Sequence, residues 1–307
     1  MLDFLTAPKL PSTSLAISET HLAMVGLRPR GKNLEVRHMG VMQIPAGLVR
    51  PHFTEPNVSN EATLIDYLTR TAEQSELKRL RKLSVALPEA SARSFVVALD
   101  SEPSSRAELN QMLEWKAERN LGCKPADVRM TSRRLETLSG KSNWLVAAAH
   151  EKVLEQYERI FDEMGWQAGL VAPQHLGEAQ WLIRAEIPED QAMVSLNPRG
   201  FTVVIVRGRE PILVREIVCA PEEREDEFYR LMIYYRDRLL PESGSGMVSR
   251  LLTIGSPEEQ DSFRRTFEAA LERHPVMLNP NSLGFNLNSN APFNRVAAAA
   301  GLASLGC

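Results

Sequence analysis

Two segments of the 307-residue chain repeat the same pattern of strands and turns, and this repetition constrains the fold more than any other feature. Residues 14–45 and 192–221 each contain an apolar run, a polar turn, a second apolar run, a basic turn with glycine and a third run. Apolar runs separated by turn residues predict strands joined as a meander. Its occurrence twice in one chain predicts a duplicated α/β fold with two similar lobes.

The length and charge of the chain exclude some classes of function. With 307 residues, 43% of them hydrophobic, the chain is long enough for two domains with substantial cores. Its formal net charge is -3 and its pI is near 6.1. Because nucleic-acid binding depends on a basic surface, we expect no DNA or RNA partner.

The distribution of apolar residues predicts a cytoplasmic protein. Residues 1–10 lack the basic stretch and apolar run of a signal peptide. The longest apolar stretch, 296–305, is much shorter than the roughly 20 residues of a membrane-spanning helix. We therefore expect a soluble chain without a membrane span.

No residue pattern predicts a catalytic or metal site. The three cysteines are far apart, and the six histidines form no HxxxH or CxxC pairing, so we expect neither a disulfide framework nor a bound metal. The acidic run 222–227 lacks the glycine turn and spacing of a calcium loop. His21 stands alone in a turn, where a surface role is the simpler interpretation.

Periodicity and caps predict the remaining elements. Helices are expected over 61–76, 106–120, 152–164, 174–185, 222–239 and 257–273, and strands over 83–87, 94–99 and 251–254. Residues 279–290 are predicted to be an irregular loop. In the helix 106–120, the spacing of Leu109, Met112 and Trp115 predicts one apolar face, with Trp115 in the core as the simplest role.

Several phrases, in this order along the chain, resemble the PilM family of type IV pilus assembly proteins, within the actin-like superfamily that includes FtsA and MreB. Residues 15–23 align with the family's Ile-Asp-Ile-Gly-Ser-Ser-Ser-Val-Lys, and 86–88 match its Ala-Leu-Pro. Trp115, Ala117 and Glu118 match Arg-Trp-Glu-Ala-Glu. Further similar phrases are 144–149, 234–236 and 296–303.

The resemblance implies an actin-like ATPase fold, with duplicated ribonuclease H-like lobes and a small α+β subdomain inserted in the first lobe. The implied boundaries are 13–88 for the first lobe, 89–166 for the inserted subdomain, 167–189 for the return to the first lobe, 190–290 for the second lobe and 291–307 for a C-terminal helix that packs back on the first lobe.

The same alignment places other residues where the family binds nucleotide. Phosphate-cradling hairpins need glycine, and a magnesium ion needs oxygen ligands. In the first lobe, Ala16 stands for the aspartate, Ser18 for the glycine and Ala23 for the lysine. In the second lobe, Ser195 and Asn197 stand for the aspartate and the glycine.

The family's Gly-Gly-Gly-Ser turn, which lies under the adenine, aligns here with Gly255 and Ser256, so only one of its glycines is present. We therefore interpret the chain as a pseudo-ATPase, with neither ATP nor magnesium expected.

The resemblance implies a scaffold protein. PilM relatives bind the short cytoplasmic N-terminal peptide of the inner-membrane protein PilN, in a groove between the first lobe and the inserted subdomain. The expected function is a non-catalytic adaptor, held near the inner membrane through this partner; self-association stays open. Trp115, Glu118 and Leu121 are the candidates for the groove.

Two other functions stay open. The first is the L-type cytoplasmic component of type II secretion, although those proteins usually continue into a membrane span. The second is an active actin-like ATPase or a sugar kinase of the superfamily, which would retain acidic residues and glycines at positions 16, 18, 195 and 197.

Overall fold

The computed structural model describes residues 9–77, 80–136, 142–185, 187–240, 246–287 and 292–307. Residues 1–8, on which the signal-peptide prediction partly depends, lie outside these ranges. Among the described helices, none combines the length and the apolar character needed to cross a bilayer.

The strands and helices alternate along the chain. The strands are β1 (Thr13–Ile17), β2 (His21–Arg30), β3 (Asn33–Gln43), β4 (Lys82–Leu87), β5 (Ala92–Leu99), β6 (Val128–Leu135), β7 (Ser142–His150), β8 (Gln167–Pro173), β9 (Asp190–Asn197), β10 (Gly200–Arg207), β11 (Glu210–Val218), β12 (Arg250–Ile254), β13 (Val276–Met277) and β14 (Phe285–Asn286). The helices are α1 (Glu61–Gln74), α2 (Arg106–Leu121), α3 (Glu151–Glu163), α4 (Gln174–Ala185), α5 (Arg224–Arg238), α6 (Pro257–Leu271) and α7 (Phe293–Ser304).

The chain forms two compact units. Unit 1 contains Met1–Ser91, Lys152–Gln180 and Gly284–Cys307, and unit 2 contains Ala92–Glu151 and Trp181–Leu283. This division by packing differs from the predicted division into lobes and an inserted subdomain. The predicted lobe boundaries therefore stay a prediction.

Unit 1 is built on a six-stranded sheet in the order β14-β3-β2-β1-β4-β8. β1, β2 and β3 are antiparallel neighbours, while β4 lies parallel to β1 and β8 parallel to β4. Helix α7 packs on β1, β2 and β4, and α1 packs on β2 and β3. The hydroxyl of Ser14 in β1 donates a hydrogen bond to the carbonyl of Ala299 in α7, which fixes the helix on the sheet.

Unit 2 contains a sheet of the same design, in the order β11-β10-β9-β12-β13. Here too a three-stranded antiparallel meander is followed by two parallel strands. The duplication predicted from the two meanders is thereby confirmed. The core of this sheet contains Phe201, Phe228 and Phe263, whose ring centroids lie 4.8–6.2 Å apart.

A separate three-stranded antiparallel sheet in unit 2, in the order β5-β7-β6, carries helix α2. Ser105 caps the helix by accepting a hydrogen bond from the backbone N–H of Glu108, and Gly122 ends it in the left-handed conformation. The predicted apolar face is wrong at Trp115, which is 65% exposed. Six residues after Leu109 the helix has turned by roughly 240°, so the buried positions are instead Leu113, Ala117 and Leu121.

Three other predicted elements differ in detail. Helix α1 ends at Gln74 because Glu76 has a φ of 61°. Residues 221–223 form a short 3₁₀ turn before α5, in which the Glu223 carboxylate accepts from the backbone N–H of Ala220. The predicted loop 279–290 contains β14, which pairs with Leu34 and Glu35 of β3; residues 288–290 of that loop lie outside the described residues.

Candidate functional site

Alanines occupy both sides of the first hairpin of unit 1. Ala16 in β1 and Ala23 in β2 are direct partners in the antiparallel ladder, and both side chains are buried. Where the family resemblance places an aspartate and a lysine, this hairpin therefore presents two methyl groups to the core. Neither residue supplies an oxygen ligand or a positive charge.

The turn of this hairpin is closed by the hydroxyl of Ser18. Its Oγ accepts hydrogen bonds from the backbone N–H groups of His21, at 2.9 Å, and Thr20, at 3.3 Å. These are the donors that a phosphate-binding turn would direct at its ligand. In this structure they are directed at Ser18.

His21 links the turn to helix α7. Its Nε2 lies 3.1 Å from the carbonyl oxygen of Arg295, and its Nδ1 lies 3.1 Å from Thr20 Oγ1. A neutral ring that donates from Nε2 and accepts at Nδ1 satisfies both contacts. Burial lowers the pKa of His21 and outweighs the opposing effect of the Arg295 carbonyl, while the Arg295 charge lowers it further.

The corresponding hairpin of unit 2 is also closed by its own side chains. Ser195 is buried in β9, opposite Thr202 of β10. At the end of β9, the Asn197 Oδ1 accepts a hydrogen bond of 2.9 Å from the backbone N–H of Arg199. The side chain of Asn197 thus forms the turn that leads into β10.

Gly255 and Ser256 form the start of helix α6. Ser256 Oγ accepts from the backbone N–H of Glu259, and the Glu259 carboxylate accepts from the backbone N–H of Ser256 at 2.8 Å. A methyl group on Gly255 would lie 2.7 Å from Leu196 Cδ1 and 2.9 Å from Glu259 Oε2. A side chain at this position would therefore require the ends of the Leu196 and Glu259 side chains to shift.

Arg224, at the start of α5, joins these two parts of unit 2. Its Nη1 lies 2.9 Å from Glu259 Oε1, and its Nη2 donates a hydrogen bond of 2.6 Å to the carbonyl oxygen of Asn197. The side chains of Arg224 and Glu259 thus connect the β9–β10 hairpin with the N-terminus of α6.

Sequence reasoning missed this link. The pattern Ser-Pro-Glu-Glu before an amphipathic helix is a capping-box signal, from which the role of Glu259 could have been predicted. Arg224 gives no comparable signal, because it lies within a charged run of ordinary helix-start composition and its partners are distant in sequence.

The three candidates for partner binding lie on α2 but are not equivalent. Trp115 and Glu118 are exposed, whereas Leu121 is 2% exposed and packs the end of the helix in the interior of unit 2. Leu121 therefore contributes to the stability of α2, and the exposed surface contains only the other two. Their role in partner binding stays a prediction.

Among the residues described, no three or more histidine, cysteine or acidic side chains converge in a group that could hold a metal ion. Both hairpins are closed by the chain's own hydroxyl and amide groups, so they offer an incoming anion few directed backbone donors.

No family model and no curated protein sequence matches the chain. Its structure, however, is similar to a chain of the PilM–PilN type IV pilus biogenesis complex, with a TM-score of 0.76 and 16% identity over 97% of this chain and 99% of that one.

Two other solved structures are also similar. The first is a Bacteroides thetaiotaomicron protein with an actin-like ATPase fold and unknown function, with a TM-score of 0.51 and 11% identity over 100% and 99% of the two chains. The second is the ethanolamine utilization protein EutJ from Carboxydothermus hydrogenoformans, with a TM-score of 0.50 and 8% identity over 97% and 92%. The expected actin-like fold is thus confirmed, and the chain shares it with a chain of the PilM–PilN complex.

Proposed function

We propose that the chain is a non-catalytic, actin-like adaptor of a type IV pilus or related type II secretion platform at the inner membrane. Its partner in this proposal is the cytoplasmic N-terminal peptide of a PilN-like membrane protein. The observation that carries the proposal is that the β1–β2 and β9–β10 hairpins are both closed by the chain's own side chains. They lie within a fold that is similar to a chain of the PilM–PilN complex over 97% of this chain.

The chemistry of the hairpins supports the absence of nucleotide turnover. Phosphoryl transfer relies on magnesium and on groups that stabilise charge on the phosphate oxygens. The buried methyl groups of Ala16 and Ala23 provide neither, and Glu19 in the same turn would repel a phosphate. In unit 2, the carboxylate of Glu259 lies against the turn of Gly255 and Ser256, which aligns with the family's adenine site.

The cellular location in this proposal follows from the membrane-anchored partner. The described helices include none that could span a membrane. An adaptor of this kind is cytoplasmic and reaches the inner membrane by binding a protein that is anchored there. The cytoplasmic peptide of a PilN-like protein, held by backbone hydrogen bonds and side-chain pockets, would supply this attachment.

The first experiment measures nucleotide binding by calorimetry and by thermal shift with magnesium-ATP. We expect no heat of binding and an unchanged midpoint of unfolding. A ligand at a hundred times its Kd stabilises a folded protein by about 2.7 kcal/mol, so a true nucleotide site would be readily detected. A clear stabilisation would contradict the proposal and favour the active ATPase or sugar kinase.

The second experiment measures binding of the N-terminal cytoplasmic peptide of the PilN-like protein from the same organism. We expect saturable binding of that peptide and none of a scrambled peptide of the same composition. Equal binding of the two peptides, or binding of neither, would contradict the adaptor function. Binding instead of a cytoplasmic segment from a type II secretion membrane protein would favour the L-type component.

A further inference from the structure

Trp115 forms the centre of the outward face of α2. The core side of the helix carries Leu113, Ala117 and Leu121, so Trp115 points away from the three-stranded sheet and is 65% exposed. Met112, one turn earlier, is half-buried and packs against the core beneath α2, so the exposed apolar surface is that of the indole ring. An exposed tryptophan is typical of protein-binding surfaces.

Lys116 holds the indole ring of Trp115 in place. Its Nζ lies 5.7 Å from the ring centroid and forms an ion pair of 2.8 Å with Asp100. The cation–π contact and the ion pair together restrict the ring before any partner arrives. A restricted aromatic side chain loses less conformational entropy on binding.

The two flanks of α2 beside Trp115 carry opposite charges. Glu114 and Glu118 are exposed, lie one turn apart on the same flank of the helix, and form no ion pair with any residue that the structure describes. On the opposite flank, Lys116 is paired with Asp100, and Arg119 is exposed. Two like charges at this spacing destabilise a helix, and a cationic partner would relieve that repulsion.

We propose that the face formed by Glu114, Trp115 and Glu118 binds a cationic amphipathic segment of the membrane partner. Its apolar side chains would cover Trp115, and its Lys or Arg side chains would pair with Glu114 and Glu118. This inference rests on the proposed adaptor function. Cytoplasmic segments next to membrane spans carry an excess of Lys and Arg, which gives such a partner the complementary charge.

The four tryptophans provide the readout for the test. Trp166 is 7% exposed, Trp181 is 1% exposed and Trp144 is half-buried, so Trp115 is the most exposed of them. The probe is a synthetic peptide with Leu and Lys at helical spacing, added to the full chain. We expect a blue shift of the emission and protection from iodide quenching. The matched peptide with Glu in place of Lys should cause neither change.

Two variants locate the binding face, with a label on the peptide as the readout. Trp115→Ala should weaken binding at least about tenfold, the usual effect for a central aromatic contact. The double variant E114Q/E118Q should weaken binding about threefold or more and reduce its dependence on salt, because each exposed pair contributes up to about 1 kcal/mol. The control, Tyr234→Ala, removes an aromatic side chain that is 50% exposed on α5 and should leave the affinity unchanged.

Equal binding of the Lys and Glu peptides, or unchanged affinity of Trp115→Ala, would overturn the inference. The PilN-like peptide, tested in parallel on the same variants, separates this failure from that of the adaptor function. If it binds the unaltered chain and Trp115→Ala equally well, the adaptor function stands and the α2 face is excluded. If it does not bind the unaltered chain at all, the adaptor function itself fails.

Discussion

At the residue scale, His21 determines how the first hairpin of unit 1 is held. Its ring connects the β1–β2 turn with the carbonyl of Arg295 at the start of α7, two regions that are far apart in sequence. The lowered pKa of His21 favours the neutral ring, which can donate from Nε2 to that carbonyl and accept at Nδ1 from a hydroxyl of the turn. The hydrogen bonds that hold the hairpin therefore depend on the protonation of His21.

The stability of the chain should depend on pH through His21. Burial lowers the pKa of His21 in the folded state, so between the folded and the ordinary pKa the unfolded chain binds more protons. Stability from this residue is therefore complete above the ordinary pKa and is lost as pH falls through the folded value. Between about pH 7 and pH 5 the Tm of the unaltered chain should fall more steeply than that of His21→Gln, which has a similar shape but does not titrate. Parallel Tm profiles would contradict this prediction.

Some residue roles could be predicted from the sequence and others could not, depending on whether the role is set by sequence neighbours or by distant packing. The caps Asn60 and Ser105 are of residue types that favour a helix start, and a cap depends only on the next few residues. The placement of Trp115 was wrong, because an apolar residue in a helix has two possible sides and only the packing against β5 and β7 distinguishes them. A role that depends on adjacent residues can therefore be predicted from the sequence, whereas the surface against which a helix packs cannot.

At the element scale, one carboxylate connects the start of α6 with other parts of unit 2. Glu259 accepts from the backbone of Ser256 and pairs with Arg224, whose side chain is largely buried. Its neighbour Glu258 also lies in the first turn but is exposed and forms no ion pair with any described residue. The two glutamates therefore offer a direct comparison.

Glu259→Ala should lower the free energy of unfolding by about 2 kcal/mol, because it removes a helix cap and leaves the guanidinium of Arg224 without its carboxylate. Glu258→Ala should change it by about 0.5 kcal/mol or less, as is usual at an exposed position. Urea unfolding of both variants checks the prediction. Equal effects would mean that the link to Arg224 contributes nothing to stability.

The elements of the two sheets could be predicted to different degrees. The meander strands were visible because each apolar run is bounded by turn residues within a short window. β14 was predicted as loop, because Phe285 and Asn286 become a strand only through pairing with Leu34 and Glu35. The same limit applies to the candidate site, where the turn residues Ser18 and Asn197 were identified but Arg224, which joins distant segments, was not.

At the scale of the whole molecule, unit 1 is assembled from three separated stretches of the chain. Helix α7 comes from the last of them and is buried from Val296 to Ser304. It packs on β1, β2 and β4 and lies close to α4, where a methyl group on Gly177 would be 2.7 Å from the carbonyl oxygen of Ala298. The absence of a side chain at Gly177 thus allows two helices from distant parts of the chain to pack closely.

Gly177→Ala should destabilise unit 1 even though alanine favours helices more than glycine does. The helical preference would contribute about 1 kcal/mol of stabilisation, whereas forcing a methyl group against backbone typically costs 1–3 kcal/mol. We expect a lower Tm and faster amide hydrogen exchange in α7. Arg184→Ala, at an exposed position of the same helix, is the control. A variant as stable as the unaltered chain would show that α4 and α7 can move apart without a loss of stability.

The late position of α7 in the chain also affects how the protein is made. During synthesis on a ribosome, β1, β2 and β4 emerge long before the helix that covers them. Until α7 is translated, part of their apolar surface is exposed to water and to chaperones. Premature termination before Phe293 would therefore release a polypeptide prone to aggregation, because the surfaces of β1, β2 and β4 on which α7 packs would have no cover.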